Sequence, residues 1–211
     1  MTTTSMHTDI DTAADFLASS SIIDHDHPAV AALARSLAGA SAEQTARNCF
    51  DWVRDNIEHS IDHGRDEVTC VASEVLAAGT GLCTAKSHLL VALLRQHGIA
   101  AGFCYQRLLF DEAGGAYCSH GLVAVWLDGH GWYRCDARGN KPGIACAFTP
   151  GRENLAFAVQ APGECLYDEV WAEPWAELVA RTRALRSIAD YRAAPLDVAP
   201  PVAAANRRIA A

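Results

Sequence analysis

The sequence predicts an α+β domain with an antiparallel sheet. Helical signals fill the first half of the chain, runs rich in β-branched and aromatic residues follow from Ile99, and a helix signal returns at Pro174. Strands alternating with helices would instead indicate a doubly wound parallel sheet, and that order is absent here.

Residues 9–24 read as a short, weakly amphipathic helix ending in a polar stretch. Pro28 suits the first turn of a second helix, 28–38, which Gly39 stops. Ser41 with Gln44 makes a capping box for a third, on which Ala46, Cys49, Phe50, Val53 and Ile57 share one face. Residues 59–70 are polar and irregular, and a short helix follows at 71–77. Gly79-Thr80-Gly81 reads as a tight turn. Cys83 to His97 is a helix with Gly98 in the C′ position, and Leu89–Leu94 is apolar on nearly every side, so this helix is buried. Residues 99–110, 120–127 and 132–136 read as strands, joined by turns at 111–115 and 128–131, and a further strand is expected around 165–167. Pro174 opens a last helix, 174–189; residues 193–211 are rich in Ala and Pro, with little to bury.

At 211 residues and half apolar composition, the chain can bury a core without disulfide or metal staples. Its formal charge of −8 argues against a surface that coats nucleic acid or an anionic membrane. No apolar run approaches the roughly 20 residues of a membrane helix. None of the eight cysteines forms a CxxC pair, which removes the zinc-ribbon and thioredoxin motifs. The residues from Met1 to Thr8 lack a basic segment and an apolar segment of the secretory kind, so free thiols in the reducing cytoplasm are expected. His25 and His27 flank an aspartate with no third ligand at a recognisable spacing, so no metal and no cofactor is expected.

Cys83 stands apart. It follows a glycine-flanked turn and begins a buried helix, where unpaired N–H groups and the helix dipole favour a thiolate and would hold an oxyanion. His120 begins one strand and Asp136 ends the next, so a base and its orienting carboxylate would complete a Cys–His–Asp set. Register decides whether they meet. An even loop puts them on opposite faces; the odd loop Asp128-Gly129-His130 pairs Leu127 with Gly131 and sets Asp136 opposite Leu122, on the face of His120. His88 reads as a satisfied core or surface histidine, and His59, His63, His97 and His130 fall in turns or at helix ends.

The run Gly79-Thr80-Gly81-Leu82-Cys83-Thr84-Ala85-Lys86-Ser87-His88-Leu89-Leu90, with His120-Gly121-Leu122, Gly131-Trp132-Tyr133 and Asp136-Ala137-Arg138-Gly139-Asn140-Lys141-Pro142-Gly143, resembles the transglutaminase-like superfamily, in particular its small prokaryotic members. The resemblance spans roughly residues 28–180. It implies a papain-like core, with Cys83 as nucleophile, His120 as general base and acid, and Asp136 as orienting carboxylate. The corresponding organisation is an N-terminal helical extension at 1–27, a transglutaminase-like catalytic domain at 28–192 and a tail at 193–211. Many relatives carry an acid shortly after the tryptophan that follows the histidine. Here the segment that follows His120-Gly121 reads Leu122-Val123-Ala124-Val125-Trp126, without an acid.

Three further residues are candidates for the cleft or an oxyanion contact. Gln106 would line the cleft or sit as a solvated strand residue, Trp126 would be core or cleft wall, and Arg138 would order the loop after Asp136 or touch substrate. The expected chemistry is a thioester at Cys83 formed from an amide or ester of a small-molecule, peptide or protein substrate. Hydrolysis is the first reading and transfer to an amine the second. A binding module that keeps the fold without catalysis is the alternative of another class.

Overall fold

The computed structural model describes residues 14–111 and 115–201, together with the backbone of 208–210. Four helices come first. Helix α1 (Pro28–Ser36) starts on a proline, and the His27 ring caps it by accepting from Ala29 N–H. Helix α2 (Ala42–Asn56) starts where Ser41 Oγ accepts from Gln44 N–H. Only half of the expected capping box forms, because the Gln44 amide turns instead to Asn48 Oδ1 at 2.8 Å. The predicted inward face is right: Ala46, Cys49, Phe50, Val53 and Ile57 are all buried.

Helix α3 (Ala72–Ala78) ends on Gly79 in the left-handed region. Helix α4 (Cys83–Gln96) is buried at every position from Cys83 to Arg95. Its C-terminus closes as the Schellman pattern requires: Gly98 N–H donates to Arg95 C=O and Ile99 N–H to Leu94 C=O. The charged residues within it are tied to backbone. The Lys86 ammonium donates to the carbonyls of Arg54 and Ile57 at the end of α2, and the Arg95 guanidinium donates to those of Ala18, Ala101 and Ala172.

Three strands form the meander: β3 (Ala101–Asp111), β4 (Ala116–Leu127) and β5 (Gly131–Cys135). With β6 (Cys165–Leu166), β7 (Glu169–Trp171) and β8 (Arg208–Ala210) they make a sheet ordered β5-β4-β3-β7-β8, with β6 also on β3. All its pairings are antiparallel among the described residues. The main core lies between α1–α4 and this sheet, and a smaller cluster around Phe16, Leu122 and Val170 covers other apolar positions.

Several expectations change. Of the predicted helix 9–24, residues 9–13 lie outside the described ones, and 14–24 hold one turn only, after which Ser20 Oγ accepts from the N–H groups of Ile22 and Ile23. Such local side-chain bonding competes with a helix. The Gly79–Gly81 turn and the irregular start of 59–70 prove to be two short parallel strands. β1 (Glu58–His59) pairs with β2 (Thr80–Gly81), His59 facing Gly81. The last helix is two: α5 (Ala176–Ala184) stops, and Ser187 caps α6 (Ile188–Ala193) by accepting from Asp190 N–H. Residues 196–198 bury more than expected, since Val198 is 5% exposed and its N–H meets Ser119 Oγ.

Candidate active site

Cys83 is the first residue of α4, and Leu82, which precedes it, has no side-chain acceptor to cap the helix. The first-turn N–H groups are therefore not claimed by a capping side chain, and they point toward the thiol end of the helix. Strand β2 runs directly into this helix and is held by β1. Strand β4 approaches so closely at Gly121 that a Cβ there would lie 2.9 Å from Thr84 Cγ2 and 3.0 Å from Thr84 Cα. That approach sets β4 beside the start of α4, and Cys83 and His120 line one cavity.

The β4–β5 hairpin has the odd loop. Leu127 pairs with Gly131 and Val123 with Cys135, and Gly131 has φ 72°. Asp136 follows as the first residue after β5, on the face of His120. His120 lies within β4 and does not begin it, because pairing with β3 continues back to Ala116. His120 Nε2 and Asp136 Oδ2 are 2.7 Å apart. The same carboxylate accepts from Ala156 N–H at 3.2 Å and, through Oδ1, from Arg138 N–H at 3.0 Å. The Phe157 ring stands edge-on to the imidazole, 5.2 Å between centroids.

The charges follow from this geometry. Burial disfavours the Cys83 thiolate, but the positive His120 ring and hydrogen bonds from His120 and His59 outweigh it and hold the thiol well below its usual range. Burial likewise disfavours the His120 cation, and Asp136 and Cys83 together reverse that and push its pKa up. Asp136 would be raised by burial, yet His120 and two backbone N–H groups lower it. These directions favour a thiolate beside an imidazolium held by a carboxylate. All eight cysteines are free, and burial pushes Cys49, Cys104, Cys118 and Cys146 up to about 12.

A second cluster adjoins the first, and sequence reasoning missed its leading member. His59, read as a turn residue, is 6% exposed on β1 and lines the same cavity as Cys83. Asp62 lies 3.8 Å from His59 Nδ1. Its carboxylate accepts from both terminal nitrogens of Arg138 and from Lys141 Nζ at 2.8 Å. The available signal was the spacing of His59 and Asp62, but a two-residue strand has no periodicity to reveal it.

These groups line a cavity of about 320 Å³, in which Cys83, His59 and His120 meet an apolar wall that includes Leu108, Phe110 and Tyr191. Arg138 belongs to this wall. Gln106 and Trp126 do not. Gln106 sits directly across from His120 in the β3–β4 ladder, is 1% exposed and donates to Phe157 C=O at 3.0 Å, so it is neither solvated nor on the cleft surface; it anchors the loop that carries Phe157. Trp126 is 46% exposed near the far end of β4, against Trp132. His88 is a core residue: its Nδ1 is 2.6 Å from Cys70 C=O and its ring meets Phe103 edge-on. His25 contacts Gln96 and His27 caps α1, so they converge on no common point. Among the described residues no group of three or more His, Cys, Asp or Glu is placed to hold a metal ion.

Residues 31–137, half of the chain, match the family described as the Transglutaminase-like superfamily. Among solved structures, similarity is found to "a Putative Cysteine Protease from Cytophaga hutchinsonii", at 22% identity over 60% of this chain and 42% of that one, with a TM-score of 0.47. The periplasmic domain of TgpA from Pseudomonas aeruginosa is similar at 19% identity over 61% of this chain and 47% of that one, with a TM-score of 0.48. The same domain bound to ethylmercury gives 21% identity, 61% and 49% coverage and a TM-score of 0.46. This chain thus spans less than half the length of each. No curated protein matches it.

Proposed function

The chain belongs to the transglutaminase-like superfamily, and on that premise we propose that it is a cysteine-dependent enzyme that hydrolyses an amide or ester in a small or peptide substrate. One observation carries this reading: a thiol at the uncapped start of a buried helix, sharing a cavity with an imidazole that is itself bonded to a buried carboxylate. A fold kept only for binding has no need of that ion pair.

Cys83 is the nucleophile, His120 the acid and base, and Asp136 the group that orients and charges His120. The Cys83 sulfur donates an electron pair to the substrate carbonyl carbon, and the carbonyl π electrons move to oxygen. The first-turn N–H groups of α4 stabilise that oxyanion. As the tetrahedral centre collapses, the bond to the amine or alkoxide breaks and the leaving group takes the proton from His120. His120, now neutral, removes a proton from water, and the resulting attack on the thioester frees the acid and returns the thiolate. An amine in place of water would give transfer by the same steps. The cavity of about 320 Å³ suits a small molecule or a few residues of a peptide. A reducing compartment, the cytoplasm, suits a thiol whose ionisation is favoured.

The test is a limited iodoacetamide reaction near neutral pH, followed by peptide mapping, and then incubation with amide and ester substrates to trap an acyl group. Cys83 should label first and should carry the acyl adduct, and both should disappear in Cys83→Ala. Faster labelling of another cysteine, or an alkylation rate unchanged in His120→Ala, overturns the reading.

A further inference from the structure

Two features of the cleft remain once Cys83, His120 and Asp136 have roles. His59 is buried, lines the same cavity as the thiol from its place opposite Gly81, and its Nδ1 is enclosed without a hydrogen-bond partner. Asp62, beside that nitrogen, spends its carboxylate on Arg138 and Lys141. Resting on the reading of Cys83 as nucleophile, the geometry points to His59 as a second catalytic imidazole, which donates an N–H to the Cys83 sulfur.

The two rings differ in how their carboxylates are occupied. Besides His120, Asp136 accepts only from two backbone N–H groups, which bring no compensating charge, so its charge acts on the imidazole. Asp62 accepts from a guanidinium and an ammonium, which offset part of its pull on His59. The groups that face His59 are Cys83 from α4, Asp62 from the segment after β1 and Arg138 from the segment after β5. Burial is the largest influence and disfavours the cation; Cys83 and Asp62 oppose it, Arg138 adds to it, and the ring ends below its usual range. A neutral imidazole has one N–H. The tautomer protonated on Nε2 leaves Nδ1 with no proton to place, in keeping with its lack of a partner. Arg138 joins the two sides, its backbone N–H on Asp136 and its guanidinium on Asp62.

The experiment measures the pH profile of Cys83 alkylation in the full chain, in His59→Ala and in His59→Gln, with ring nitrogen shifts of His59 recorded by NMR in the unsubstituted protein. His59→Ala should move the profile up by about one to two pH units, the worth of one hydrogen bond to a charged group. His59→Gln, which keeps an N–H donor but cannot titrate, should restore much of that shift. The His59 ring should be neutral near pH 7 and its signals should move when Cys83 is alkylated. A His59→Ala profile superimposed on the parent, or a cationic His59 ring near pH 7, overturns the proposal. If His59→Ala does not fold, His59→Gln and the ring shifts decide. If Cys83 labels first and His120→Ala slows it while neither His59 variant does, only the role of His59 fails. If Cys83 is not the fast thiol, the reading of the nucleophile fails with it.

Discussion

Cys83 differs from the deeply buried cysteines in its neighbours and hardly at all in its depth. Cys104 and Cys135, buried among apolar side chains, are driven toward the neutral thiol, whereas the two rings beside Cys83 reverse that effect. The contact depends on a residue with no side chain. At Gly121 the strand lies against Thr84, and a methyl group would meet both the Thr84 side-chain methyl and its backbone Cα, which cannot turn aside. Gly121→Ala should therefore push β4 from the start of α4, with a loss of about 1–3 kcal/mol of stability. Cys83 alkylation near neutral pH should slow as well, because the thiol loses His120. Denaturant melts and labelling rates check both effects, and unchanged labelling in a folded variant would show that the close approach is not what pairs the two residues.

At the scale of elements, the cleft is assembled from short pieces whose ends are fixed by side chains. Helix α6 is six residues long and places Tyr191 on the cavity wall. A helix that short has little stability of its own. It begins because Ser187 Oγ accepts from Asp190 N–H at 3.2 Å, while the Asp190 carboxylate accepts from Arg186 N–H. Ser187→Ala should lower stability by about 1 kcal/mol. The denaturant midpoint should fall with its slope unchanged, and amide exchange should speed up over 188–193. Equal exchange in the two proteins would mean that packing alone holds the helix. The split between α5 and α6 was open to sequence reasoning, since Ser187 with Asp190 is a helix-start signature inside the predicted 174–189 helix; the run of helix-forming residues on both sides concealed it.

For the whole molecule, acid stability should report the core as much as the cleft. His88 is enclosed in α4, and burial, partly offset by the Cys70 carbonyl, lowers its pKa to about 4. In the unfolded chain it returns to 6.5. The unfolded state thus binds a proton that the folded state refuses, so stability is complete above about pH 6.5 and falls as pH drops toward about 4. The loss across that window is about 3 kcal/mol. Equilibrium melts at stepped pH should show this slope, and His88→Gln should flatten it. An equal slope in both proteins would assign the acid sensitivity to other groups. No helix of the described residues is long and apolar enough to cross a membrane.

The succession of helices, strand meander and C-terminal helical segment, the burial of α4 and the odd hairpin that puts His120 and Asp136 on one face were legible in the sequence. Those features are local: capping residues, apolar spacing, and a loop length with glycine available at 131. Tertiary structure alone decided the rest. His59 enters the site because β1 pairs with β2 across the whole of α3, and no local pattern encodes a two-residue parallel pairing. Gln106 is buried because the β3–β4 register sets it against His120 under the Phe157 loop, while Trp126, on the same strand as His120, points into solvent at the other end. Burial and long-range pairing depend on the sum of many contacts between distant segments. A residue type and its near neighbours carry only part of that sum.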